Sequence, residues 1–324
     1  MSDCLCEINI SDIDLTDERY KISFADKDIC FLARSFKETG LIYPPIVRPV
    51  NNTFIIVSGF NRIRAHIHNN QVHNNETKIV VYKTKPDTTD YQCLLKSIAS
   101  LAFQKQLTIA ELIICTRRLY QFLDKQQIAE KSPDIFNKEL AESFVGDLLT
   151  IGGLSDTAME LIHTGNLSFK SAKRISLFEK ESIKVFLDVF SKIHASQSKQ
   201  LEIILYIMEI AARDLIKPKA LLKNQEIQDI LSDEKKEPGL KTEDLRAYLF
   251  EHRFPTVLKY RQMVREKITS IKFGNRIKIS PPENFDSQTY SISFTAKNYK
   301  EFFANVQTLN AGLENKELKE IFNP

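Results

Sequence analysis

The order of apolar and polar positions along the first hundred residues predicts a small unit of mixed helices and strands. Asn51 and Asn52 separate two runs rich in β-branched residues, which is typical of a β-hairpin. Gly40 ends one stretch with helical spacing, and Gly59 precedes another. The predicted elements are helices over 28–39 and 62–69, and strands over 46–50, 53–57 and 78–83.

After the last of these strands, apolar residues recur at helical spacing, which predicts an all-helical middle. Thr108 and Glu111 have the spacing of a capping box, in which each side chain accepts a backbone N–H from the other residue. Ser155 and Ser168 are typical helix N-caps. A longer helix is predicted over 198–215.

The polar and charged segment 232–241 contains Pro-Gly and favours a linker. Beyond it, helices are predicted to begin at Thr242, Pro255 and Asn298, with two strands in 271–280 and 289–296. The chain as a whole is therefore expected to have an α+β fold. Its expected parts are a mixed α/β domain over 1–100, a helical domain over 101–231, the linker, and a small basic α/β domain over 242–324.

Charge is distributed unevenly along the chain. Its 324 residues include 45 Lys and Arg against 42 Asp and Glu, so the net charge is only +3. Residues 252–324 carry 12 of these basic and 7 of the acidic side chains, so the whole surplus lies at the end. This density predicts a polyanion-binding face, although a solvated helix face has the same pattern. The candidate DNA-binding residues there are Arg253, Lys259, Arg261, Arg265, Lys267, Lys272, Arg276 and Lys278.

Cysteine and histidine spacings argue against a metal site. Of five cysteines only Cys4 and Cys6 are close, and one Cys-x-Cys pair is a poor zinc signal. His66, His68 and His73 do not share one helix face, so no metal is expected. Scattered thiols, no basic-apolar leader and no apolar run long enough for a bilayer predict a cytosolic location without membrane contact.

The chemistry of an anion site is concentrated where a buried strand passes into a helix. Gly59 allows a tight turn there, and the helix start offers N–H groups and a positive dipole end. Arg62 and Arg64 add donors suited to phosphate. Residues two apart point to different sides of a helix, so one arginine is expected at the phosphate, and salt bridges remain an alternative for both. No Gly-x-x-x-x-Gly-Lys sequence is present, which excludes a P-loop.

Two stretches of this unit, SFKETGLIYPPIVRP and FIIVSGFNRIRAHI, resemble the N-terminal domain of the ParB family of partition proteins, a fold shared with sulfiredoxin. The resemblance continues more weakly through GLSDTAMELIHTGNLSFKSAKRISLF and covers a little over half of the chain. Residues 199–324 show no such match.

The resemblance implies a site for cytidine triphosphate (CTP). The residues that correspond to its base and phosphate sides are Gly40, Leu41, Ile42, Tyr43, Pro44, Pro45, Arg48, Ser58, Gly59, Asn61, Arg62 and Arg64. Phe60 and Asn61 replace a Glu and an Arg of the family motif. Ala99 and Ser100 replace a Glu-Asn pair that serves the metal and hydrolysis, which puts Mg²⁺ in doubt and predicts slow hydrolysis or none.

A helix-turn-helix is expected in 124–150, with a break at Ser132-Pro133 and a recognition helix from Asn137 to Leu149. That helix carries Lys138 among several acids, which makes a poor major-groove face. A second basic patch consists of Lys170, Lys173 and Arg174. The resemblance implies a DNA-binding homodimer and, as a further partner, a partition ATPase.

Two other functions remain open. The fold also supports phosphorylation of free serine, for which Asp17 and Glu18 are the candidate bases, with Arg19 beside them, although a solvated turn before a strand is the simpler interpretation of this pair. The chain is alternatively a regulatory protein that binds another protein. Sulfiredoxin chemistry is excluded because Phe60 stands where that enzyme needs a cysteine.

Overall fold

The computed structural model describes residues 4–24, 29–73, 78–271, 273, 277–282 and 289–322. The chain divides into two compact units. The first consists of Met1–Ile204 with Lys217–Thr242, and the second of Leu205–Ile216 with Glu243–Pro324.

The first unit begins with a five-stranded mixed sheet in the order β1-β5-β3-β4-β2. Its strands are β1 (Cys4–Asn9), β2 (Ile13–Asp14), β3 (Ile46–Val50), β4 (Thr53–Ser58) and β5 (Lys78–Lys83). Helices α1 (Ile29–Thr39) and α2 (Phe60–His73) accompany the sheet. The core of this part is formed by aliphatic side chains from strands and helix, including Val47, Ile56, Ile63, Ile79 and Val81.

Two turn residues have the backbone conformations that the sequence predicts. Asn51 has φ of 52°, which matches the hairpin between β3 and β4, and Gly40 has φ of 72° where α1 ends. Helix α2 begins at Phe60, two residues earlier than predicted, because the helix starts directly after the Gly59 turn. Strands β1 and β2 were not predicted. The expected strand after Asp17 and Glu18 is absent, since 15–24 has no strand.

The helical part begins with α3 (Asp90–Ala102), α4 (Ile109–Leu119), α5 (Lys125–Glu130), α6 (Ser132–Phe136) and α7 (Glu142–Gly152). It continues with α8 (Asp156–Thr164), α9 (Phe169–Ile175), α10 (Lys180–Lys192), α11 (Gln197–Arg213), α12 (Pro218–Leu222) and α13 (Gln225–Ser232). Reciprocal capping boxes start three of these helices, at Thr89, Thr108 and Asp124. The box at Thr108 confirms the prediction from its spacing with Glu111.

One of the two predicted helix-turn-helix boundaries is wrong. The break expected at Ser132-Pro133 is present, since α5 ends at Glu130 and α6 begins at Ser132 with proline in its first turn. Asn137 has a left-handed backbone that ends α6, so the next long helix is α7 and begins only at Glu142. Lys138 therefore lies in the connection before α7 and not on a recognition helix.

The second unit contains the end of α11, most of α14 (Pro238–Arg253), α15 (Pro255–Ser270), strands β6 (Ile277–Ser280) and β7 (Ser291–Phe294), and helices α16 (Tyr299–Gly312) and α17 (Lys316–Phe322). The two strands form an antiparallel pair. Helix α14 begins at Pro238, inside the expected linker, and Thr242 lies within it instead of capping it. Among the described residues, no helix is both long and apolar enough to cross a membrane.

Candidate functional site

The turn between β4 and α2 is conformationally restricted to glycine. Gly59 has φ of 96°, a backbone conformation that other residues rarely adopt. A Cβ atom there would lie 2.8 Å from the Cβ of Pro45 and 3.1 Å from the Cζ of Arg62. The segment 40–45, Gly-Leu-Ile-Tyr-Pro-Pro, and the turn formed by Ser58 to Arg62, hereafter the phosphate-type turn, therefore approach each other closely.

A cavity of about 370 Å³ opens beside this turn, a size suited to a small-molecule ligand. Three parts of the first unit enclose it: the β4–α2 turn, the irregular segment 20–23 with Leu32, and the end of α3 with the residues that follow it. Its lining residues are Tyr20, Lys21, Ile22, Ser23, Leu32, Ser58, Gly59, Phe60, Asn61, Arg62, Ser97, Ser100, Leu101, Gln104 and Lys105.

Ser100 lies at the phosphate-type turn. Its hydroxyl is 2.6 Å from that of Ser58, and both residues line the cavity. Of the two residues that correspond to the Glu-Asn pair, Ser100 therefore contacts the turn.

Arg62 holds the turn and faces the cavity at once. Its Nη1 donates to the carbonyl oxygens of Tyr43 at 2.6 Å and Pro44 at 3.2 Å. Burial lowers the pKa of its guanidinium below its ordinary value. Because both described acceptors are uncharged, Arg62 brings a positive charge to the cavity that no carboxylate among the described residues neutralises.

Lys105 is a cation of the cavity that the sequence did not single out. Its Nζ donates to both carboxylate oxygens of Glu111, at 2.7 and 2.9 Å. Glu111 is completely buried and also accepts the backbone N–H of Thr108 at 2.9 Å. Lys105 is one-third exposed, so its ammonium is held between a buried carboxylate and the cavity.

Lys21 is the third cation of the lining, and the sequence did not single it out either. It pairs with Glu18 at 2.7 Å. Neither lysine lies in a recognisable motif. The signal that could have identified Lys105 is the Thr108–Glu111 box, because a buried capping carboxylate needs a cation nearby.

Two predicted nucleotide-site arginines point to other partners. Arg48 pairs with Asp90 and donates to the Tyr20 hydroxyl at 3.0 Å. Arg64 pairs with Glu18 at 3.2 Å. Neither arginine lines the cavity, so of the pair Arg62 and Arg64 only the first faces it, as the helical spacing predicted.

The segment Gly40 to Pro45 also lies outside the cavity lining. Ile42 and Tyr43 are both about two-thirds exposed. Within the described residues, the contribution of this segment to the site is structural: two of its carbonyls hold the Arg62 side chain.

The described lining of the cavity does not fit a divalent cation. It contains no Asp or Glu, and the two hydroxyls nearest the turn, those of Ser58 and Ser100, bind each other. Asp17 pairs with Arg19, and Glu18 with Lys21 and Arg64, so neither candidate kinase base faces the cavity.

The histidine side chains that the structure describes do not form a cluster. Nε2 of His66 contacts the carbonyl oxygen of Lys78, and Nε2 of His68 lies 3.8 Å from the Sγ of Cys30. The side chain of His73 lies outside the described residues. No group of three metal-type ligands occurs in the described part of the chain.

The second candidate surface lies on α7 and α9. Lys173 pairs with Asp147 at 2.6 Å, and Phe144 packs on Phe169. At the start of α7, Glu142 pairs with Lys125 of α5 at 3.2 Å. Two acids of the predicted recognition helix, Glu142 and Asp147, are thus neutralised by neighbouring lysines.

Lys170 and Arg174 are exposed on the same short helix as Lys173. They have no carboxylate partner among the residues that the structure describes. The basic patch predicted at i, i+3 and i+4 is therefore present, but one of its members is engaged by α7.

The basic residues of the second unit are less free than the sequence suggested. Arg253 pairs with Glu209 at 2.6 Å, and Lys267 pairs with Glu320 at 2.9 Å. Arg261 stacks over the ring of Phe250. Lys259, Arg265 and Lys278 are exposed, while Lys272 and Arg276 lie outside the described residues.

The part of the chain that contains the mixed sheet and the glycine turn matches a known protein family. Residues 2–98 match the family model of the ParB N-terminal domain. A probable chromosome-partitioning protein ParB of Chlamydia muridarum is 29% identical over 289 residues, which cover 86% of this chain and 89% of that protein.

Two solved structures of a C-terminally truncated ParB from Caulobacter crescentus are also similar. The complex with CTP-γ-S is 19% identical, with a TM-score of 0.27, and covers 54% of this chain and 93% of that one. The complex with the centromeric parS site is 17% identical, with a TM-score of 0.34, and covers 56% of this chain and 91% of that one.

Proposed function

We propose that this chain is a cytosolic, ParB-like DNA-binding protein of the partition type, with an N-terminal cavity that binds a nucleotide and hydrolyses it slowly or not at all. The observation that carries the proposal is the Gly59–Arg62 turn at the start of α2, which lines a cavity of nucleotide size. CTP is the nucleotide of choice because a ParB relative was solved with CTP-γ-S.

The proposed DNA-binding surface consists of α7 and α9. Lys170 and Arg174 supply phosphate contacts there, and the residues near the start of α7 supply any base contacts. The centromeric parS site bound by the Caulobacter relative makes parS-type DNA the first sequence to test. Lys259, Arg265 and Lys278 of the second unit are proposed to add backbone contacts.

The proposed homodimer rests on an apolar face of the second unit. Helix α16 exposes Tyr299, Phe302, Phe303 and Val306, and Ile292 of β7 is exposed as well. An exposed apolar group of this size is typical of an interface. Sedimentation velocity of the full chain should show a dimer that Phe302→Asp converts to a monomer.

Nucleotide binding is tested by filter binding of labelled CTP and ATP to the full chain. Arg62→Ala should abolish binding of CTP, since it removes both the cavity cation and the two carbonyl contacts. Arg62→Lys should retain part of the affinity because it keeps the charge but has fewer fixed donors. Arg34→Ala, an exposed arginine of α1, is the matched control and should bind like the parent chain. CTP binding that survives Arg62→Ala unchanged would show that the turn is misassigned.

DNA binding is tested by fluorescence anisotropy with a parS duplex and a scrambled duplex. Affinity should fall steeply between about 50 and 200 mM salt, since each phosphate contact releases counterions. The double variant Lys170→Ala/Arg174→Ala should weaken binding to both duplexes and reduce the salt dependence. Affinity that does not respond to salt would contradict the DNA function and favour a protein-binding regulator.

A further inference from the structure

The cavity beside the Gly59 turn combines three cations with a described lining that holds no carboxylate. The cations are Lys21, Arg62 and Lys105. A divalent metal on a triphosphate usually needs a protein carboxylate, and the Ser58 and Ser100 hydroxyls that lie at the turn are bonded to each other. The lining therefore suits the bare polyphosphate better than its magnesium complex.

We propose that this cavity binds a nucleoside triphosphate without a divalent metal ion, and that Lys105, held by the buried Glu111, is the cation that takes the place of the metal. The inference rests on the proposed nucleotide function and specifies the form of the ligand. It assigns a role to a residue outside the turn motif.

The hydrogen bonds of Lys105 leave room for a ligand. An ammonium group has three N–H donors, and the carboxylate of Glu111 receives two of them. The third is available to a phosphate oxygen, because the side chain is one-third exposed and lines the cavity. The long lysine side chain is thereby fixed before the ligand arrives, which lowers the entropy lost on binding.

The charge of the cavity favours a polyanion. Arg62 is bonded to the uncharged carbonyls of Tyr43 and Pro44, so its charge stays available. Lys21 shares Glu18 with Arg64, which leaves one carboxylate between two cations. A phosphate chain entering between these groups is neutralised by side chains, which is the function that Mg²⁺ has elsewhere.

The same contact connects the cavity to the helical part. Glu111 belongs to the first turn of α4, and α4 packs on α7 where Arg117 donates to the carbonyl oxygen of Gly152 at 3.3 Å. A phosphate oxygen that also binds the Lys105 ammonium alters the ion pair that this ammonium forms with the buried Glu111 carboxylate of α4. Nucleotide occupancy is in this way expected to affect the helix that we propose for DNA binding.

The test is isothermal titration calorimetry of the full chain with CTP and CMP, each in EDTA and in excess Mg²⁺. CTP should bind in EDTA at least as tightly as in Mg²⁺, since the metal competes with the side-chain cations for phosphate oxygens. CTP should also bind more tightly than CMP, because the additional phosphates reach more cations.

The informative variant is Lys105→Met/Glu111→Gln. Glutamine keeps the capping box, and the double change leaves no buried charge unpaired, so the fold is preserved. Loss of one charge-assisted contact should weaken CTP binding by about tenfold to a hundredfold and reduce the preference for CTP over CMP. Lys192→Met/Asp188→Asn removes a more exposed lysine–carboxylate pair on α10, away from the cavity, and controls for the loss of an ion pair as such.

Three outcomes overturn the inference. CTP binding that appears only with Mg²⁺ contradicts metal independence and leaves the proposed nucleotide site intact. An equal loss of CTP and CMP affinity in the double variant shows that Lys105 is structural. If no nucleotide binds under either condition, the proposed nucleotide function fails and this inference fails with it.

Discussion

The hydroxyl groups of Ser58 and Ser100 lie 2.6 Å apart and join the last residue of β4 to the end of α3. Ser100 occupies the position where the family resemblance implied a carboxylate or amide for the metal. The two hydroxyls thus bind each other at the cavity lining, and their contact connects the turn to the helical part.

Introducing an acid at this position should create metal dependence. Ser100→Asp places a carboxylate beside the phosphate-type turn, and we expect CTP affinity in EDTA to fall by about tenfold through like-charge repulsion. Added Mg²⁺ should recover the loss, because the new carboxylate can ligate it. Calorimetry in both buffers measures the ratio of the CTP affinity in Mg²⁺ to that in EDTA. The control is Ser100→Asn, because asparagine is similar in size to aspartate but uncharged, and this variant should show no such recovery.

Gly59→Ala should destabilise the first unit more than Gly40→Ala. Both glycines have positive φ, so both substitutions incur a backbone cost of about 1 kcal/mol. Only at Gly59 does the new Cβ also meet Pro45 and Arg62, whereas at Gly40 nothing lies within 4 Å. Urea unfolding followed by circular dichroism should show the larger drop in midpoint for Gly59→Ala, and equal drops would contradict the close approach.

The buried pair of Lys105 and Glu111 should respond differently to single and double substitution. Lys105→Met leaves a completely buried carboxylate without its cation and should cost about 3–5 kcal/mol of unfolding free energy. The double variant Lys105→Met/Glu111→Gln removes the charge and should recover most of that loss. A double variant as unstable as the single one would mean that packing, and not the charge, determines the cost.

Asp90 should make the first unit slightly less stable in acid. The hydrogen bond from the Tyr20 hydroxyl, followed by that from Arg48, lowers the pKa of Asp90 below its ordinary value of 3.8. A carboxyl whose folded pKa is depressed contributes stability above the unfolded value and loses it as pH falls through the folded value. Because the side chain is about half exposed, the effect should stay below about 1 kcal/mol.

The measurement for Asp90 compares the parent chain with Asp90→Asn in urea unfolding at neutral pH and at steps below about pH 4. The parent should be the more stable of the two at neutral pH. The difference in stability should disappear as the pH falls below the pKa of the Asp90 carboxyl in the folded protein. If the difference in stability does not change with pH, the shape of the Asp90 side chain, and not its charge, accounts for the contribution.

Asp147 should limit the DNA affinity of α9. It holds Lys173 in a salt bridge, so Asp147→Asn frees that cation and removes a charge that repels phosphate. Affinity for a scrambled duplex should rise severalfold, and the slope of log affinity against log salt should steepen by about 1. Asp134→Asn, an exposed acid of α6, makes the same charge change away from α9 and should have a smaller effect.

Local signals in the sequence predicted many of the element boundaries. Asn51-Asn52, Gly40 and the Thr108–Glu111 box each determine a turn or helix end through interactions a few residues apart. The start of the recognition helix was misplaced because Asn137, its expected first residue, has a left-handed backbone that ends α6, so that α7 begins only at Glu142. Strand β1 was missed because its pairing partner β5 lies more than sixty residues away.

The turn of the candidate site was likewise predictable, but its cations were only partly so. Arg62 follows from its place on the helix after Gly59. Lys105 does not, because its role depends on a cavity that exists only when α3, the turn and 20–23 come together. Arg48 was assigned to the nucleotide, yet Asp90, more than forty residues further along the chain, determines where it points.

The connection between α3 and α4 comprises only the six residues 103–108. It is tied at both ends, since the N–H of Lys105 binds the carbonyl of Leu101 and the N–H of Thr108 binds the Glu111 carboxylate. So short a segment cannot absorb a displacement by reordering, as a long loop would. A ligand bound at Lys105 would therefore act on the first turn of α4 without a flexible segment between them.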